Sequence, residues 1–295
     1  MPIFSIILPT TSDRGYLLPF SVQSVLNQSV SSFELLIIGD GVNQYTRNVI
    51  KLLQDKDDRI KFFDFPKHIR RGEPYRHQVL TRYAEGTYIA YLLDRDLWLP
   101  NHLETLLLLF KKNGNFVASN VFKILQDKNI DFDLSHTVRT FLFSTVGHTL
   151  ELYKNLPHGW RLTPAHLFTD TYMWEQFQDN SNFRVSVCYT PSVLYFKRGA
   201  TYPGIPTEKR VGELKNWCDK LLEPTLHSYL IEEALKYSLN ERKKEYLKGV
   251  QILIKGRSMS DFLVIVQTQF KYKIASLKRK VDYLMKGHWK PSQLK

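Results

Sequence analysis

The stretch AEGTYIAYLLDRDLWLPNHL, residues 84–103, places two carboxylates directly after a buried strand. Its apolar, β-prone run predicts a strand that ends abruptly at Asp94, Arg95 and Asp96. Pro100 then marks the beginning of an amphipathic pattern that predicts a helix. Because unpaired charges beside a buried strand cost free energy, the two carboxylates require a compensating partner.

On both sides of this stretch, strand-like runs alternate with helical patterns. The predicted strands are FSIILP (4–9), FELLIIGDG (33–41), RIKFFDF (59–65), TYIAYLL (87–93) and FVASNVFKIL (116–125), and FRVSVCYTPSVLYF (183–196) returns to strand character. Helical patterns separate the first five strands, and Gly86 is expected to cap the third helix. Alternation at this rhythm predicts a doubly wound α/β sheet.

Three of the predicted strands end in polar residues. These ends are Pro9-Thr10-Thr11, Asp40-Gly41 and Asp94-Arg95-Asp96. A single Asp after a strand is commonly a turn or cap residue. In doubly wound sheets, however, ligands bind beyond the carboxyl ends of the strands, which meet at one edge. Three polar ends together therefore favour a ligand site.

Two carboxylates one residue apart can share a divalent cation. Oxygen ligands from Asp94 and Asp96 suit Mg²⁺ or Mn²⁺, and such a cation usually completes its shell with water and substrate phosphates. This pattern indicates a diphosphate ligand. Arg70, Arg71 and Arg76 precede the fourth strand and add positive charge, although an Arg pair in a loop is more commonly solvated.

Charge is distributed unevenly along the chain of 295 residues, which carries a net charge of +12. Residues 240–295 contain 14 Lys and Arg against 4 Asp and Glu, whereas residues 1–239 contain 27 against 25. A nearly neutral body with a basic tail is not typical of a nucleic-acid groove, so we predict no nucleic-acid partner. Cys188 and Cys218 form no CxxC pair, which excludes a disulfide scaffold and fits a reducing compartment.

The basic tail has a helical pattern. The SMSD motif at 258–261 has the spacing of a capping box, and apolar residues then recur at steps of three and four to predict one helix over 258–286. This helix either lies on an anionic membrane or packs on the body with its lysines in solvent. Because the N-terminal sequence has no signal-peptide pattern, we expect a cytoplasmic protein, held peripherally at the inner face of the membrane in the first case.

Four motifs follow one another in a familiar order: SIILPT, SVQSVLNQS, FELLIIGDG and AEGTYIAYLLDRDLWLPNHL. In this order and spacing, the chain resembles a family 2 inverting glycosyltransferase with the GT-A fold, of the bacterial polysaccharide and glycoconjugate type. The resemblance covers roughly residues 3–200. It implies a Rossmann-like mixed sheet over 1–207, with a donor half (1–120) and an acceptor half (121–207), and a basic helical extension over 208–295.

The resemblance also implies a reaction and its ligands. A sugar would pass with inversion from a nucleoside diphosphate sugar, UDP by family default, to a glycan or lipid-linked acceptor, assisted by Mn²⁺ or Mg²⁺. The donor would contact Pro9, Thr10, Thr11, Asp40, Arg70, Arg71, Arg76, Asp94 and Arg95, with the cation on Asp94 and Asp96. A homodimer is compatible with this assignment.

Inversion requires a base that deprotonates the acceptor hydroxyl. Asp170 in FTDTYMWEQF fits the family position of this base, and it also fits a helix N-cap; one residue can serve both roles. His148 and Trp160 are weaker candidates for the sugar or acceptor pocket, since a lone His is more often structural than catalytic.

The chain departs from the family pattern at three points. Gly39 replaces the first Asp of the second motif, an aromatic-Asn pair is missing after Thr10, and Arg95 lies inside the D-x-D motif. An inactive nucleotide-sugar-binding scaffold in a glycan assembly complex is therefore the alternative function. A nucleotidyltransferase ranks lower, because it needs a Gly-rich basic loop after the first strand and PTTSDRGY has one Gly and one Arg.

Overall fold

The computed structural model describes residues 1–12, 14–125, 129–132, 140–164, 166–196, 207–254 and 266–278. The chain forms two compact units, Met1–Ile231 and Glu232–Lys295. All the predicted site residues lie in the first unit. The predicted boundary between catalytic domain and extension at residue 207 remains a prediction.

A nine-stranded mixed sheet forms the centre of the first unit. Its strands are β1 (Phe4–Ser12), β2 (Phe33–Val42), β3 (Ile60–Phe65), β4 (Tyr88–Tyr91), β5 (Leu97–Trp98), β6 (Phe116–Ile124), β7 (Ile130–Phe132), β8 (Val146–Thr149) and β9 (Val185–Tyr195). They are ordered β3-β2-β1-β4-β8-β6-β9-β5, with β7 paired to β6. β1 to β4 are mutually parallel, whereas β8 runs antiparallel between β4 and β6. The predicted doubly wound mixed sheet is confirmed.

Helices connect the strands where the sequence pattern predicts them. The helices are α1 (Leu18–Leu26), α2 (Gln44–Gln54), α3 (Glu73–Arg82), α4 (His102–Lys111), α5 (Leu150–Lys154), α6 (Thr169–Gln178), α7 (Thr207–Lys220) and α8 (Leu226–Ile254). Short 3₁₀ turns lie at Arg14–Tyr16 and at Phe143–Thr145. Local chemistry fixes the helix starts: Asn43 accepts a hydrogen bond from the backbone N–H of Thr46 at 2.8 Å and so begins α2.

Alternate side chains of the central strands enter two apolar cores, one on each face of the sheet. Phe4, Ile6 and Leu8 of β1 share one core with residues of α1, α2 and α4. Ile7 shares the other with residues of α3, α5 and α6. Because successive side chains of a strand point to opposite faces, a continuous apolar run such as FSIILP fills both cores.

Gly86 has a different role from the predicted helix cap. Helix α3 ends at Arg82 with Tyr83 as its C-cap, so the expectation was wrong. A Cβ at Gly86 would lie 2.3 Å from the backbone nitrogen of Ser5, closer than any side chain tolerates. The glycine is required because the chain crosses β1 at backbone contact.

The basic tail is described only in part. Residues 266–278 are helical, as predicted, whereas 258–265 and 279–286 lie outside the described residues. Phe270, Tyr272 and Ile274 expose half or more of their surface there. Among the described helices, none combines the length and the hydrophobicity that crossing a lipid bilayer requires.

Candidate active site

The three polar strand ends predicted to converge do meet at one edge of the sheet. Pro9 pairs with Ile38 in the register of β1 and β2. The hydroxyl of Thr10 donates to Oδ2 of Asp94 at 3.0 Å and so joins β1 to the end of β4. The hydroxyl of Thr11 donates to the backbone oxygen of Asp40 at 2.7 Å. We call this edge, formed by Thr10, Thr11, Asp40 and Asp94, the rim.

Asp40 is held by the loop between β3 and α3, residues 66–72. Its Oδ1 accepts from the backbone N–H of His68 at 2.6 Å, and its Oδ2 pairs with the ammonium group of Lys67. Gly72 has φ +65°, and a Cβ there would lie 3.1 Å from Cγ of Asp40. The glycine therefore lets the loop close over the carboxylate.

Lys67 was missed by the sequence reasoning. Its ammonium group lies directly against the predicted nucleoside-binding carboxylate, with 56% of its side chain exposed. The available signal was its position: the basic residue follows β3, whose end lies beside the end of β2. A ligand that approaches Asp40 meets a charge pair rather than a lone anion.

Gly39 stands where the family motif has an Asp. A Cβ at this position would lie 3.0 Å from Cε2 of Phe62 and 3.2 Å from Cγ1 of Val42. These distances are tighter than ordinary van der Waals contact, and a carboxylate would have to displace an aromatic ring. The departure at Gly39 thus has a local packing reason.

The loop over Asp40 also reaches the beginning of α6. A guanidinium nitrogen of Arg71 donates to the hydroxyl of Thr169, the first residue of that helix. Nη2 of Arg76 donates to the backbone oxygen of Arg71 at 3.0 Å. Arg70 is half-buried, and its backbone N–H donates to Nδ1 of His68 at 3.1 Å. Arg70 and Arg71 thus belong to the loop that links the rim to α6, and Arg76, in α3, bonds to that loop.

Asp170 lies in the first turn of α6, beside Arg76. The N-cap of this helix is Phe168, two residues before Asp170, so the prediction of Asp170 as the N-cap is wrong. Burial lowers the pKa of Arg76, and the nearby carboxylates of Asp170 and Glu73 oppose that shift. A carboxylate in a first helical turn is stabilised by the helix dipole. The predicted base and one predicted donor-binding arginine are therefore neighbours.

The donor set of Asp94 and Asp96 does not fit the predicted cation site. Asp96 is fully buried, its Oδ2 accepting from the Ser144 hydroxyl at 2.6 Å and its Oδ1 from the Phe196 N–H at 3.2 Å. Burial raises the pKa of both carboxyl groups, and Arg95 opposes the rise in each case. Mg²⁺ and Mn²⁺ need several accessible oxygens, and the fully buried carboxylate of Asp96 offers none. Within the described residues, no group of three His, Cys, Asp or Glu could hold a metal.

His148 and Trp160 do not line a pocket. Both are at most 2% exposed, and together with Tyr91, Tyr153 and Trp174 they form what we call the aromatic cluster. The Trp160 indole N–H donates to the Tyr91 hydroxyl at 3.1 Å, and that hydroxyl bonds Nε2 of His148 at 2.7 Å. Burial lowers the pKa of His148 to about 3, so its ring is neutral. The prediction of a sugar-binding role for both residues is corrected: they pack behind the rim.

One face of Trp160 nevertheless supports the site. The guanidinium carbon of Arg76 lies 4.9 Å from the centre of the Trp160 ring and 5.6 Å from that of Phe143. A cation over an aromatic face is stabilised electrostatically. The cluster therefore helps to hold Arg76 beside Asp170.

Comparison with known proteins agrees with this geometry. The family model "Glycosyl transferase family 2" matches residues 5–174. The chain is 30% identical over 129 residues to an Escherichia coli UDP-Glc:alpha-D-GlcNAc-diphosphoundecaprenol beta-1,3-glucosyltransferase, covering 43% of this chain and 49% of that one. It is 26% identical over 201 residues to a Campylobacter jejuni GalNAc(5)-diNAcBac-PP-undecaprenol beta-1,3-glucosyltransferase, covering 63% and 64%. The matches thus span less than two thirds of these relatives' own lengths.

Solved structures share the fold at low identity. S. aureus TarS 1–349 in complex with UDP-GlcNAc superimposes with a TM-score of 0.54 at 15% identity, over 80% of this chain and 71% of that one. The mannosyltransferase PcManGT of Pyrobaculum calidifontis, in complex with GDP-Man and Mn²⁺, gives 0.52 at 12% identity, over 96% and 87%. The sheet, the polar rim and the family match over more than half of the chain agree: this chain belongs to glycosyl transferase family 2.

Proposed function

We propose that this chain is a glycosyltransferase that transfers a sugar, with inversion, from a nucleoside diphosphate sugar to a lipid-linked glycan. UDP is the nucleotide to test first. The observation that carries the proposal is that the 66–72 loop bonds both Asp40 and the beginning of α6, where Asp170 lies beside Arg76. Two relatives named for diphosphoundecaprenol-type acceptors support the acceptor class.

The rim and its loop supply the donor contacts in this proposal. Asp40 accepts hydrogen bonds from the base or ribose, and Pro9, Thr10 and Thr11 form the floor beneath the nucleoside. Arg70, Arg71 and Arg76 bring positive charge toward the diphosphate. The predicted Mn²⁺ or Mg²⁺ takes no step here, because the hydrogen bonds of Asp96 do not fit it.

Asp170 is the proposed general base. The acceptor hydroxyl gives its proton to the carboxylate while its oxygen attacks the anomeric carbon from the face opposite the diphosphate. A positive charge beside a carboxylate favours the ionised form, which is the form that accepts a proton. Arg76 supplies that charge.

The basic tail is the proposed attachment to an anionic membrane surface at the inner face. Lys271, Lys273 and Lys278 accompany the exposed rings of Phe270 and Tyr272 in the described helical segment. Basic and aromatic residues on one helix are typical of interfacial binding. A lipid-linked acceptor would then lie at the same surface. Dimerisation remains a prediction.

A transfer assay with Asp170→Asn tests the proposal. With UDP-glucose and an undecaprenyl-diphosphate-linked sugar as first substrates, we expect kcat to fall by about 10²- to 10⁴-fold. UDP affinity, measured by calorimetry, should stay within about 2-fold, because the carboxylate acts on the acceptor side. Asp179→Asn, at the other end of α6, is the matched control and should retain activity.

Two outcomes contradict the proposal. If Asp170→Asn and the control transfer equally well, the base lies elsewhere. If the unmodified chain binds a nucleotide sugar but produces no transfer with any acceptor of this class, the scaffold function replaces the enzyme.

A further inference from the structure

Three arginines from distant parts of the chain are close enough to Asp94 to act on its charge. Arg14 lies in the 3₁₀ turn after β1, Arg95 in the turn between β4 and β5, and Arg210 in α7. Each opposes the rise that burial causes in the pKa of Asp94. We call Arg14, Arg95 and Arg210 the arginine cluster. Its position is the one at which the D-x-D motif would hold a cation.

Arg210 is anchored in this position by the sheet. Its Nη2 donates to the backbone oxygen of Phe196 at 3.0 Å, directly beyond the end of β9. The backbone N–H of the same residue donates to Asp96 at 3.2 Å. The end of β9 thus joins α7 to the β4–β5 turn, and Arg210 shares the region of Asp94.

Arg95 has an unused donor inside this region. Its Nε is buried, and it has no hydrogen-bond partner in the described structure. A buried N–H without a partner costs about 1–3 kcal/mol, so such groups are commonly completed by a ligand. A guanidinium group offers five donors in a planar fork that matches phosphate oxygens.

A divalent cation would be poorly placed at the same point. Asp96 and Asp94 are both buried, and they already accept hydrogen bonds from Ser144, Phe196 and Thr10, so a hydrated cation has little access to their oxygens. Three guanidinium charges would repel the cation, whereas all three would attract a diphosphate. The charge distribution therefore favours an anion over a metal ion.

We propose that the arginine cluster binds the diphosphate of the donor directly and takes the place of a divalent cation. This inference rests on the proposed function. In the transfer step the bond between the anomeric carbon and the diphosphate oxygen breaks, and its electron pair stays on that oxygen. The new bond forms to the acceptor oxygen, whose proton passes to Asp170. The guanidinium groups stabilise the charge that develops on the departing diphosphate.

Calorimetric titration of the full chain with UDP, GDP and dTDP, each in EDTA and in Mn²⁺, tests the inference. The best nucleotide should bind with affinities that agree within about 2-fold between the two conditions. Arg95→Gln should weaken binding about 10- to 100-fold in EDTA, the loss expected for a charge-assisted contact. Arg184→Gln, an exposed arginine before β9 at the opposite edge of the sheet, is the control and should bind like the unmodified chain.

A charge reversal sharpens the test. Arg95→Asp should abolish binding in EDTA and recover part of it in Mn²⁺, because a new carboxylate beside Asp94 can hold the metal. Thermal melting of each variant checks folding, and Arg14→Gln and Arg210→Gln provide independent variants if substitution at residue 95 unfolds the chain.

The possible results separate the two proposals. Binding that needs Mn²⁺, is lost in EDTA and is unchanged in Arg95→Gln overturns the arginine cluster and leaves the proposed function standing. Absence of binding by every nucleotide in both conditions overturns the proposed function, and with it the cluster.

Discussion

The rim and the aromatic cluster both adjoin β4, since Tyr91 lies in this strand and Asp94 follows its end, and both contain polar side chains. At the rim, Asp40 pairs with Lys67, whose side chain is 56% exposed, and three arginines act on the charge of Asp94, so these carboxylates have charged partners. In the aromatic cluster, the polar atoms of Trp160, Tyr91 and His148 bond one another inside apolar packing. The first arrangement can exchange a partner for a ligand at little cost; the second cannot.

Asp96 belongs with the second region although it lies two residues from Asp94. Its carboxylate is satisfied by Ser144 and Phe196, and its backbone oxygen accepts from the Ser21 hydroxyl at 2.9 Å. These bonds tie the β4–β5 turn to α1, to the 143–145 turn and to the end of β9. A structural carboxylate is therefore distinguished from a site carboxylate by whether both of its oxygens already accept hydrogen bonds from buried groups, and not by its residue type.

The largest expected effect is at Trp160, which is either a packing residue of the aromatic cluster or a residue of the sugar pocket. Trp160→Ala should lower the free energy of unfolding by about 3–5 kcal/mol, because it leaves a cavity against Trp174 and Phe143. Trp160→Phe should cost about 1–3 kcal/mol by leaving the Tyr91 hydroxyl without its donor. Urea denaturation measures both. If Trp160→Phe kept its stability but had an altered KM, the result would indicate that Trp160 contacts the sugar.

The next largest effect is expected from acid, which should lower the free energy of unfolding through the buried histidines. Burial lowers the pKa of His102 and of His148 to about 3 each, against 6.5 for an unburied imidazole. The unfolded chain therefore binds more protons between pH 6.5 and 3, so stability is complete above pH 6.5 and falls as the pH drops. At pH 5 the two rings together should cost roughly 4 kcal/mol.

Denaturation at several pH values measures this slope. His148→Phe should remove about half of it, since one of the two buried rings no longer titrates on unfolding. The exposed His158 offers the control, and His158→Gln should leave the slope unchanged. A slope that His148→Phe leaves unchanged would contradict the burial of this ring.

The smallest expected effect separates Asp96 from an ordinary surface carboxylate. Asp96→Asn should lower the free energy of unfolding by about 1–3 kcal/mol, because one amide cannot accept from both Ser144 and Phe196 as the carboxylate does. Asp64→Asn removes an exposed ion pair with Arg47 and should cost at most about 1 kcal/mol. Equal stability of the two variants would contradict a structural role for the hydrogen bonds of Asp96.

The sequence predicts the sheet well, because its information is local. Apolar runs such as 4–9 and 33–41 fill two cores at once, and only strands covered on both faces need that pattern. The convergence of Thr10, Asp40 and Asp94 then follows from the topology of parallel strands. These features need no knowledge of which residues touch across the chain.

Contacts between distant segments could not be predicted in the same way. Ser144, Phe196 and Arg210 complete the surroundings of Asp96 and Asp94, yet nothing in their local patterns marks them. For the same reason, His148 and Trp160 were given site roles by residue type although their surroundings are apolar. Lys67 is the exception, because it follows a strand whose neighbour ends in Asp40.

The hydrogen bonds of Asp96 can form only late in translation, because their partners lie far along the chain. Its acceptor contact with Phe196 spans 100 residues of chain, and that with Ser144 spans 48. A ribosome adds roughly 5–20 residues per second, so the carboxylate waits roughly 5–20 s after its own synthesis before the Phe196 N–H exists. Until then the hydrogen bonds of the β4–β5 turn are incomplete, and the carboxylate of Asp96 lacks one of its two donors in the nascent chain. The surroundings of Asp96 are therefore completed late in the synthesis of each new molecule.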